Sequence, residues 1–154
     1  MNGLDVIALP WREPAEALAA FADEPFALGL LSDGSAERGR WSYLARRPDR
    51  TCVLQHGEEP AAALRTMLGP PSPAEAPCPF AGGVVGLAAY ELGARFEGLD
   101  LARCGRWPDL VLARYPALLA FDHARRGVLA IGRGEHAARL ARLAARWLQA
   151  PPVA

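Results

Sequence analysis

Two apolar segments in the last third of the chain constrain its fold more than any other feature. Residues 110–122 read LVLARYPALLAFD, residues 127–133 read GVLAIGR, and the polar segment DHARRG joins them and ends in a glycine. Apolar runs joined by a short polar turn that contains glycine are typical of an antiparallel β-hairpin. The sequence therefore predicts antiparallel β-structure in this region.

Other segments predict helices as well as strands, so the chain has a mixed α/β pattern. Pro14 and Pro60 suit the first turn of a helix, and Gly69 suits the end of one. Short apolar runs that are bounded by turn residues, or rich in aromatic and β-branched residues, predict strands. The predicted helices are residues 13–22, 60–69 and 135–149, and the predicted strands, besides the hairpin, are residues 26–31, 41–45 and 51–55.

The last predicted helix has an apolar face and a basic face. The apolar face holds Leu140, Leu143, Ala144, Trp147 and Leu148, and the basic face holds Arg139, Arg142 and Arg146. A basic amphipathic helix can bind a membrane surface or an acidic partner. An ordinary helix that packs its leucines on a sheet has the same pattern, and we favour this second interpretation.

A proline-rich segment divides the chain near its middle. Residues 69–79, GPPSPAEAPCP, hold five prolines and no apolar periodicity, which predicts an extended, solvated connector. A boundary between two domains is one interpretation, but each half would have only about 70 residues, which is small for an independent core. We therefore expect one domain over residues 1–150, followed at residues 151–154 by the start of a linker to a missing domain.

Charge and composition exclude several classes of function. The chain of 154 residues has 17 arginines, no lysine and 17 acidic residues. A neutral chain is not expected to bind nucleic acid, and one without lysine cannot form a Schiff base through that side chain. No apolar run approaches the roughly 20 residues that span a bilayer, and no segment resembles a signal peptide. We therefore expect a cytoplasmic protein with no membrane partner.

Neither the cysteines nor the histidines have the spacing of a metal site. The cysteines are Cys52, Cys78 and Cys104, and the histidines are His56, His123 and His136. An odd number of cysteines without a C-x-x-C pair fits neither a zinc site nor a disulfide framework, and the histidines are interpreted as surface or turn residues. The serines between residues 32 and 42 have no histidine near them in sequence. The residues by themselves thus predict no catalytic site.

Three glycines in the segment FAGGVVG suggest a nucleotide-binding loop, but the flanking residues exclude it. The dinucleotide pattern G-x-G-x-x-G follows a strand and opens a helix. Here Ala81 takes the first glycine position and a proline-rich segment precedes it. The glycines Gly82, Gly83 and Gly86 instead predict a place where a strand or turn comes close to another backbone.

As a whole, residues 79–97, PFAGGVVGLAAYELGARFE, resemble a signature in the N-terminal region of the chorismate-utilising enzymes, aminodeoxychorismate synthase component I and anthranilate synthase component I. The family pattern is approximately P-F-x-G-G-x-x-G-x-x-x-Y-[DE]-L, followed by an arginine and a glutamate. The matching residues are Pro79, Phe80, Gly82, Gly83, Gly86, Tyr90, Glu91, Leu92, Arg95 and Glu97. The glycines and Tyr90, Glu91, Arg95 and Glu97 are expected to have structural roles.

The resemblance extends over nearly the whole chain, in order. It includes residues 11–21 (WREPAEALAAF), 26–48 (FALGLLSDGSAERGRWSYLARRP) and 108–131 (PDLVLARYPALLAFDHARRGVLAI). It implies an α+β (mixed α/β) fold in which largely antiparallel β-sheets pack with a few helices, as in the N-terminal part of these synthases.

The resemblance also implies a ligand pocket. In relatives, a serine after a double leucine and a run of the form GR-aromatic-S help to line a pocket that holds tryptophan, as a feedback inhibitor or as a buried structural ligand. The corresponding residues are Ser32, Arg40, Trp41 and Ser42. The segment LLSD departs from the pattern, since anthranilate synthases have a glutamate between leucine and serine, and Trp41 is unusually bulky. A space-filling role for Trp41 beside a strand is the alternative.

The segments YELGARFE and WREP favour the aminodeoxychorismate branch. In the family, chorismate, Mg²⁺ and the reacting lysine and glutamates belong to a C-terminal region that this chain lacks. The resemblance thus implies a non-catalytic N-terminal domain with no catalytic residue, metal or cofactor of its own. The parent enzyme would add ammonia, delivered by a glutamine amidotransferase subunit (component II), to chorismate, making 4-amino-4-deoxychorismate for p-aminobenzoate and folate synthesis.

The partners that the resemblance implies are the chorismate-binding C-terminal domain, the amidotransferase and tryptophan. Two alternatives remain open. One is the N-terminal regulatory domain of anthranilate synthase component I, and the other is a free-standing amino-acid-binding or interaction module.

Overall fold

A computed structural model describes residues 4–35, 39–69, 75–99, 101–102 and 105–149 of the chain. It contains helices and strands in the mixture that the sequence predicts. The helices are α1 (Pro14–Ala19), α2 (Pro60–Leu68), α3 (Tyr90–Glu97) and α4 (Glu135–Gln149). The strands are β1 (Asp5–Leu9), β2 (Leu28–Leu30), β3 (Trp41–Ala45), β4 (Arg50–Leu54), β5 (Gly83–Ala88), β6 (Leu110–Tyr115), β7 (Ala117–Asp122) and β8 (Gly127–Gly132).

The described residues form two compact units. The first contains the described residues up to 48, those from 75 to 82 and those from 115 onward, and the second contains those between 49 and 69 and between 83 and 114. A compact unit is not by itself an independently folding domain, so one domain over residues 1–150 stays a prediction. Residues 151–154, which we expect to begin a linker, and residues 70–74 of the predicted connector lie outside the described residues.

The first unit is built on a five-stranded antiparallel sheet with the order β1-β8-β7-β3-β2. Strands β7 and β8 form the predicted hairpin, in register from Ala117↔Gly132 to Asp122↔Gly127. Strand β3 lies antiparallel on the other side of β7. The hairpin prediction is therefore confirmed, and β7 is a central strand whose residues 118–122 are all buried.

The core of this unit lies between one face of the sheet and the helices α1 and α4. Leu44, Phe121 and Val128 of the sheet meet Phe21 after α1 and Leu140 of α4. Burying a large apolar side chain contributes about 1.5–3 kcal/mol, so this cluster supplies much of the driving force for folding. The described architecture as a whole is α+β, with antiparallel sheets.

Helix α4 has the two faces that the sequence predicts. Leu140 and Ala144 are buried against the sheet, and Trp147 packs at the edge of the same core. Arg142 and Arg146 on the opposite face are exposed. The helix therefore packs in the ordinary way, while the side chain of Leu148 lies outside the described part of the chain.

The second unit has a three-stranded sheet with the order β4-β6-β5. Strands β4 and β6 are antiparallel, with Cys52 opposite Leu112. Leu112 also belongs to a core cluster with Met67 of α2 and Leu92 of α3. Glu59 caps α2 by accepting a hydrogen bond from the backbone N–H of Ala61 at 2.9 Å, as expected for an acidic side chain at a helix start.

The structure differs from the sequence-based expectations at three places. The apolar run 110–122 is not one strand, since it is interrupted at Pro116 and β6 and β7 belong to different sheets. Proline has no N–H to donate to a ladder, which ends strand pairing there. The sequence did not predict β1, an edge strand paired with β8. The helix α3, residues 90–97, is likewise absent from the helices predicted from the sequence.

The glycines before and within β5 do lie close to another backbone, as predicted. Gly82 has a φ of 107°, and a Cβ atom there would lie 2.9 Å from the carbonyl oxygen of Tyr115. A Cβ atom on Gly86 would lie 3.0 Å from the carbonyl oxygen of Val111. These positions therefore need glycine for packing, and for Gly82 also for its backbone conformation.

We predict that Gly82→Ala lowers the free energy of unfolding by about 2 kcal/mol, because the methyl group meets a backbone oxygen and strains a left-handed residue. Chemical denaturation measures this change. Gly93→Ala is the matched control, since a Cβ atom there meets nothing within 4 Å in the helix α3. It should stabilise the chain by about 0.5–1 kcal/mol, and equal effects of the two substitutions would contradict the packing argument.

Candidate functional site

Three of the four residues that the sequence singles out lie at the start of β3, beside the turn between β7 and β8, and Ser32 lies in the loop after β2. Trp41 pairs with Asp122 across the sheet, and the backbone N–H of His123 donates a hydrogen bond to the carbonyl oxygen of Arg40 at 2.9 Å. This pairing brings together Ser32, Arg40, Trp41, Ser42, Asp122 and His123, which we call the β3 cluster. Of these, Asp122 and His123 were not predicted as site residues.

Arg40 and Asp122 form a two-point ion pair. The Nε atom of Arg40 lies 3.0 Å from Oδ1 of Asp122, and its Nη2 atom lies 2.6 Å from Oδ2. Asp122 is only 4% exposed, and its Oδ1 also accepts hydrogen bonds from the backbone N–H groups of Ala124 and Arg125. The hydrogen bonds from Arg40, aided by these N–H groups and opposed by burial, lower the pKa of Asp122.

The buried side chain of Ser42 in β3 contacts residues of two loops. This side chain is fully buried, at 0% exposure. Its Oγ atom accepts a hydrogen bond from the backbone N–H of Ser32 at 2.9 Å and lies 2.8 Å from Nε2 of His123. A serine next to a histidine can be a nucleophile and its base, but this hydroxyl is enclosed and already bonded on two sides. Its arrangement instead fixes the loop that carries Ser32.

Aromatic side chains line one side of the β3 cluster. Trp41 is partly buried, stacks on Tyr43 with ring centroids 6.4 Å apart, and lies 5.0 Å from the guanidinium carbon of Arg40. The hydroxyl of Tyr43 is buried and makes no hydrogen bond of good geometry in the described part of the chain, although it lies near the thiol of Cys78 and the backbone of Phe80. Burial raises the pKa of this hydroxyl.

The loop that carries Ser32 is itself ordered by local contacts. Asp33 accepts hydrogen bonds from the N–H and the hydroxyl of Ser35 at 2.8 and 2.7 Å. Gly34 lies against the ring of His123, since a Cβ atom there would be 3.0 Å from Nδ1. The same ring also contacts Trp11 at a centroid distance of 5.3 Å. His123 is therefore more than a turn residue, because it packs between two segments that precede β3.

The family signature divides between the units: Phe80 contacts Tyr43 in the first unit at a centroid distance of 5.6 Å, and the second unit holds the helical part. Arg95 of α3 points to the buried carboxylate of Asp109 at 3.5 Å and donates a hydrogen bond to the carbonyl oxygen of Glu58 at 3.3 Å. Glu91 lies in the first turn of α3, where the helix dipole favours an acidic side chain. Tyr90 and Glu97 are exposed at the two ends of the helix.

The second unit also has an exposed apolar groove next to the signature. The groove has a volume of about 360 Å³ and is lined by Leu87, Ala88, Ala89, Tyr90, Glu91, Gly105, Trp107 and Pro108. We call it the α3 groove. Tyr90 is 85% exposed and Trp107 is 67% exposed. Soluble chains seldom leave large aromatic side chains together in water, and such patches mark binding surfaces.

Two absences apply to the described residues. They contain no group of three or more histidine, cysteine, aspartate or glutamate residues that could hold a metal ion. None of their helices is both long and apolar enough to cross a bilayer.

Comparison with known proteins shows which proteins the chain resembles. No family model matches it. It is 33% identical over 170 residues to aminodeoxychorismate synthase component 1 of Klebsiella aerogenes, an alignment that covers 94% of this chain and 36% of that protein. The chain is a homologue of part of aminodeoxychorismate synthase component 1. Aminodeoxychorismate synthase component 1 of Salmonella typhimurium is 32% identical to the chain, in an alignment that covers 93% of this chain and 35% of that protein.

The fold agrees with this assignment. The crystal structure of anthranilate synthase component I from Streptococcus pneumoniae superimposes with a TM-score of 0.62 over 91% of this chain and 35% of that one, at 19% identity. The chain therefore spans about a third of the aminodeoxychorismate synthase component 1 proteins that it matches, and it has the fold of that part of a component I synthase. The resemblance and the fold class that the sequence predicts are both confirmed.

We predict that Asp122→Asn lowers the free energy of unfolding by about 2 kcal/mol at pH 7, because it removes the ion pair with Arg40. Since the folded state lowers the pKa of Asp122, the stability it contributes is present above about pH 4 and lost as the pH falls further. Urea denaturation between pH 2 and 7 measures both effects. The wild type should lose stability over this range and Asp122→Asn should lose less.

Asp5→Asn is the control for this series, since Asp5 is exposed at the start of the edge strand β1. Its free energy of unfolding should stay within about 0.5 kcal/mol of the wild type. Parallel acid unfolding of the wild type and Asp122→Asn would show that Asp122 does not carry this part of the pH dependence.

Proposed function

We propose that the chain is the N-terminal, non-catalytic domain of an aminodeoxychorismate synthase component I. The observation that supports this most strongly is the 33% identity over 94% of the chain to a relative of which it spans 36%. The whole enzyme would add ammonia to chorismate and make 4-amino-4-deoxychorismate. The ammonia would come from a component II amidotransferase, the remaining part would hold chorismate and Mg²⁺, and the enzyme would work in the cytoplasm.

A regulatory domain of anthranilate synthase component I is the second candidate. The structural similarity to the Streptococcus pneumoniae synthase supports it, but at 19% identity this similarity concerns the fold alone. The two relatives named aminodeoxychorismate synthase component 1 are more similar in sequence, at 33% and 32% identity. We therefore favour the aminodeoxychorismate branch.

We further propose that the β3 cluster binds tryptophan. An amino acid needs a cation for its carboxylate, an acidic group for its ammonium and an apolar surface for its side chain. Arg40 offers the first, Asp122 the second, and the rings of Trp41 and Tyr43 the third. Binding would exchange part of the Arg40–Asp122 ion pair for contacts with the ligand.

Calorimetric titration with tryptophan at millimolar concentration tests this proposal. We expect saturable binding that weakens by about tenfold in Arg40→Ala, because one charge-assisted hydrogen bond is lost. Arg65→Ala, an exposed arginine of α2 in the other unit, should bind as the wild type does. The absence of heat and of any thermal shift in the wild-type chain would rule out the tryptophan site without affecting the family assignment.

The α3 groove supports the view that the chain is one part of a larger synthase. The matched relatives are almost three times as long as the aligned segment. We propose that the remaining part of the synthase covers Tyr90 and Trp107, since large aromatic side chains are common anchors of interfaces. The chain by itself would then leave this surface exposed.

We predict that this chain binds the remaining two thirds of the Klebsiella aerogenes relative when the two are expressed together. Trp107→Ser should weaken this binding by about tenfold or more, measured by pull-down or analytical ultracentrifugation. Leu68→Ser, at an exposed leucine outside the groove, should leave binding unchanged. The relative's own matching segment is the positive control.

Two results would contradict the proposal. One is a pull-down in which the remaining part of the relative binds the positive control but not this chain, or binds Trp107→Ser as well as it binds the wild type. The other is turnover of chorismate with Mg²⁺ and ammonia by a pure sample of the chain, which would contradict its non-catalytic role.

A further inference from the structure

A second cavity, in the first unit, has a basic rim that the proposed function does not use. It has a volume of about 70 Å³ and lies where the end of β3, the start of β7 and the first turns of α4 meet. Its lining residues are Arg46, Arg47, Pro116, Ala117, His136, Arg139, Leu140 and Leu143. We call it the α4 cavity.

Arg46 is held rigidly at the base of this rim. Its guanidinium carbon lies 5.2 Å from the ring centroid of Phe21 and 4.9 Å from that of Trp147. Its Nε atom donates a hydrogen bond to Glu24 at 2.8 Å, and its Nη2 atom donates another to the same carboxylate. The side chain is only 7% exposed. Arg46 is thus fixed in position, with its charge balanced by Glu24.

Arg47 is directed outward by an uncommon backbone conformation. Its φ is 51°, a left-handed value that residues other than glycine and asparagine rarely adopt. Its side chain is mostly exposed, and its contact with Glu24 is long, at 3.4 Å. Because Glu24 already bonds twice to Arg46, the charge of Arg47 is poorly compensated. Conformations of this kind are often kept at functional sites.

Arg139 adds a second positive charge, from α4. Among the described residues no carboxylate lies within 4.0 Å of it, and Glu135, one turn earlier on the helix, makes no ion pair with it. His136 adds a ring nitrogen on the same side. Three guanidinium groups therefore line the cavity. Among the described residues the one carboxylate that pairs with them is Glu24, which leaves an excess of positive charge.

The walls of the cavity favour a small charged ligand. Pro116, Ala117, Leu140 and Leu143 are apolar, and apolar walls reduce the screening of charges by water. A volume of about 70 Å³ has room for one small head group but not for an amino acid the size of tryptophan. Guanidinium groups bind phosphate and carboxylate oxygens through paired hydrogen bonds.

We propose that the α4 cavity binds a small dianionic oxyanion, namely phosphate or the phosphate group of a monoester, between Arg47 and Arg139. The guanidinium group of Arg47, which Glu24 compensates only in part, and that of Arg139 match the two charges of this ligand. The apolar walls exclude water from one side of it. The proposal is independent of the β3 cluster and of the α3 groove, so it does not depend on the proposed function.

Calorimetric titration of the whole chain with inorganic phosphate at pH 7 and fixed ionic strength tests it. We expect saturable binding that weakens by about tenfold in Arg139→Ala and in Arg47→Gly, since each variant removes a charge-assisted hydrogen bond. Glycine is chosen at position 47 because it accepts the positive φ without strain. Unfolding curves of both variants should show that the fold is retained.

Arg142→Ala is the matched control, because Arg142 is an exposed arginine of the same helix that does not line the cavity. Its affinity for phosphate should stay within about twofold of the wild type, as expected for a distant surface charge under salt screening. A second titration with phenyl phosphate distinguishes the two sources of the ligand. Tighter binding of the ester indicates a monoester, and tighter binding of inorganic phosphate indicates the free ion.

The proposal is overturned if the wild type shows no saturable heat with either ligand. It is also overturned if Arg142→Ala loses as much affinity as the two cavity variants, because the binding would then be general attraction to the basic face of α4. Unchanged affinity in Arg47→Gly and Arg139→Ala would exclude the cavity as the site.

Discussion

The pairing of β3 with β7 is the interaction on which the first unit depends. It joins residues about eighty positions apart in the chain, so its loop-closure entropy must be offset by contacts that form together. The contacts that offset this entropy come from the core face of the paired strands and from their ends. Leu44 and Phe121 pack in the core against α1 and α4. Arg40 and Asp122 form an ion pair at the end of the strands. Ser42, buried between them, ties in the loop before β3.

The same pairing explains which part of the candidate site the sequence predicted. Ser32, Arg40, Trp41 and Ser42 belong to one local segment, so a family pattern could identify them together. Asp122 and His123 come from the turn of a distant hairpin, and no spacing rule connects them to β3. Pairing the predicted strand 41–45 with the predicted hairpin in the correct register would have found them, but register depends on contacts with the rest of the sheet.

The fold was predictable wherever a local signal and the tertiary structure agree. The β7–β8 hairpin and α4 have clear periodicity and a turn or a face that the core requires. Pro116 misled the interpretation, because the apolar residues on both sides of it suit a strand equally well while they belong to two sheets. Strand β1 is an edge strand whose residues are largely exposed, and its pairing with β8 leaves little trace in its own composition. Helix α3 contains Gly93, which weakens its helical signal.

The packing of Arg46 against the adjoining rings of Phe21 and Trp147, whose centroids are 4.9 Å apart, explains why arginine suits this position. A flat, delocalised cation can contact two neighbouring rings while its N–H groups bond to Glu24, and a compact ammonium group cannot do both. The three contacts connect the segment after α1, the end of β3 and the last turns of α4. At this position the two basic amino acids are therefore not equivalent. A lysine at position 46 would keep the positive charge but would lose the contacts that connect the segment after α1, the end of β3 and the last turns of α4.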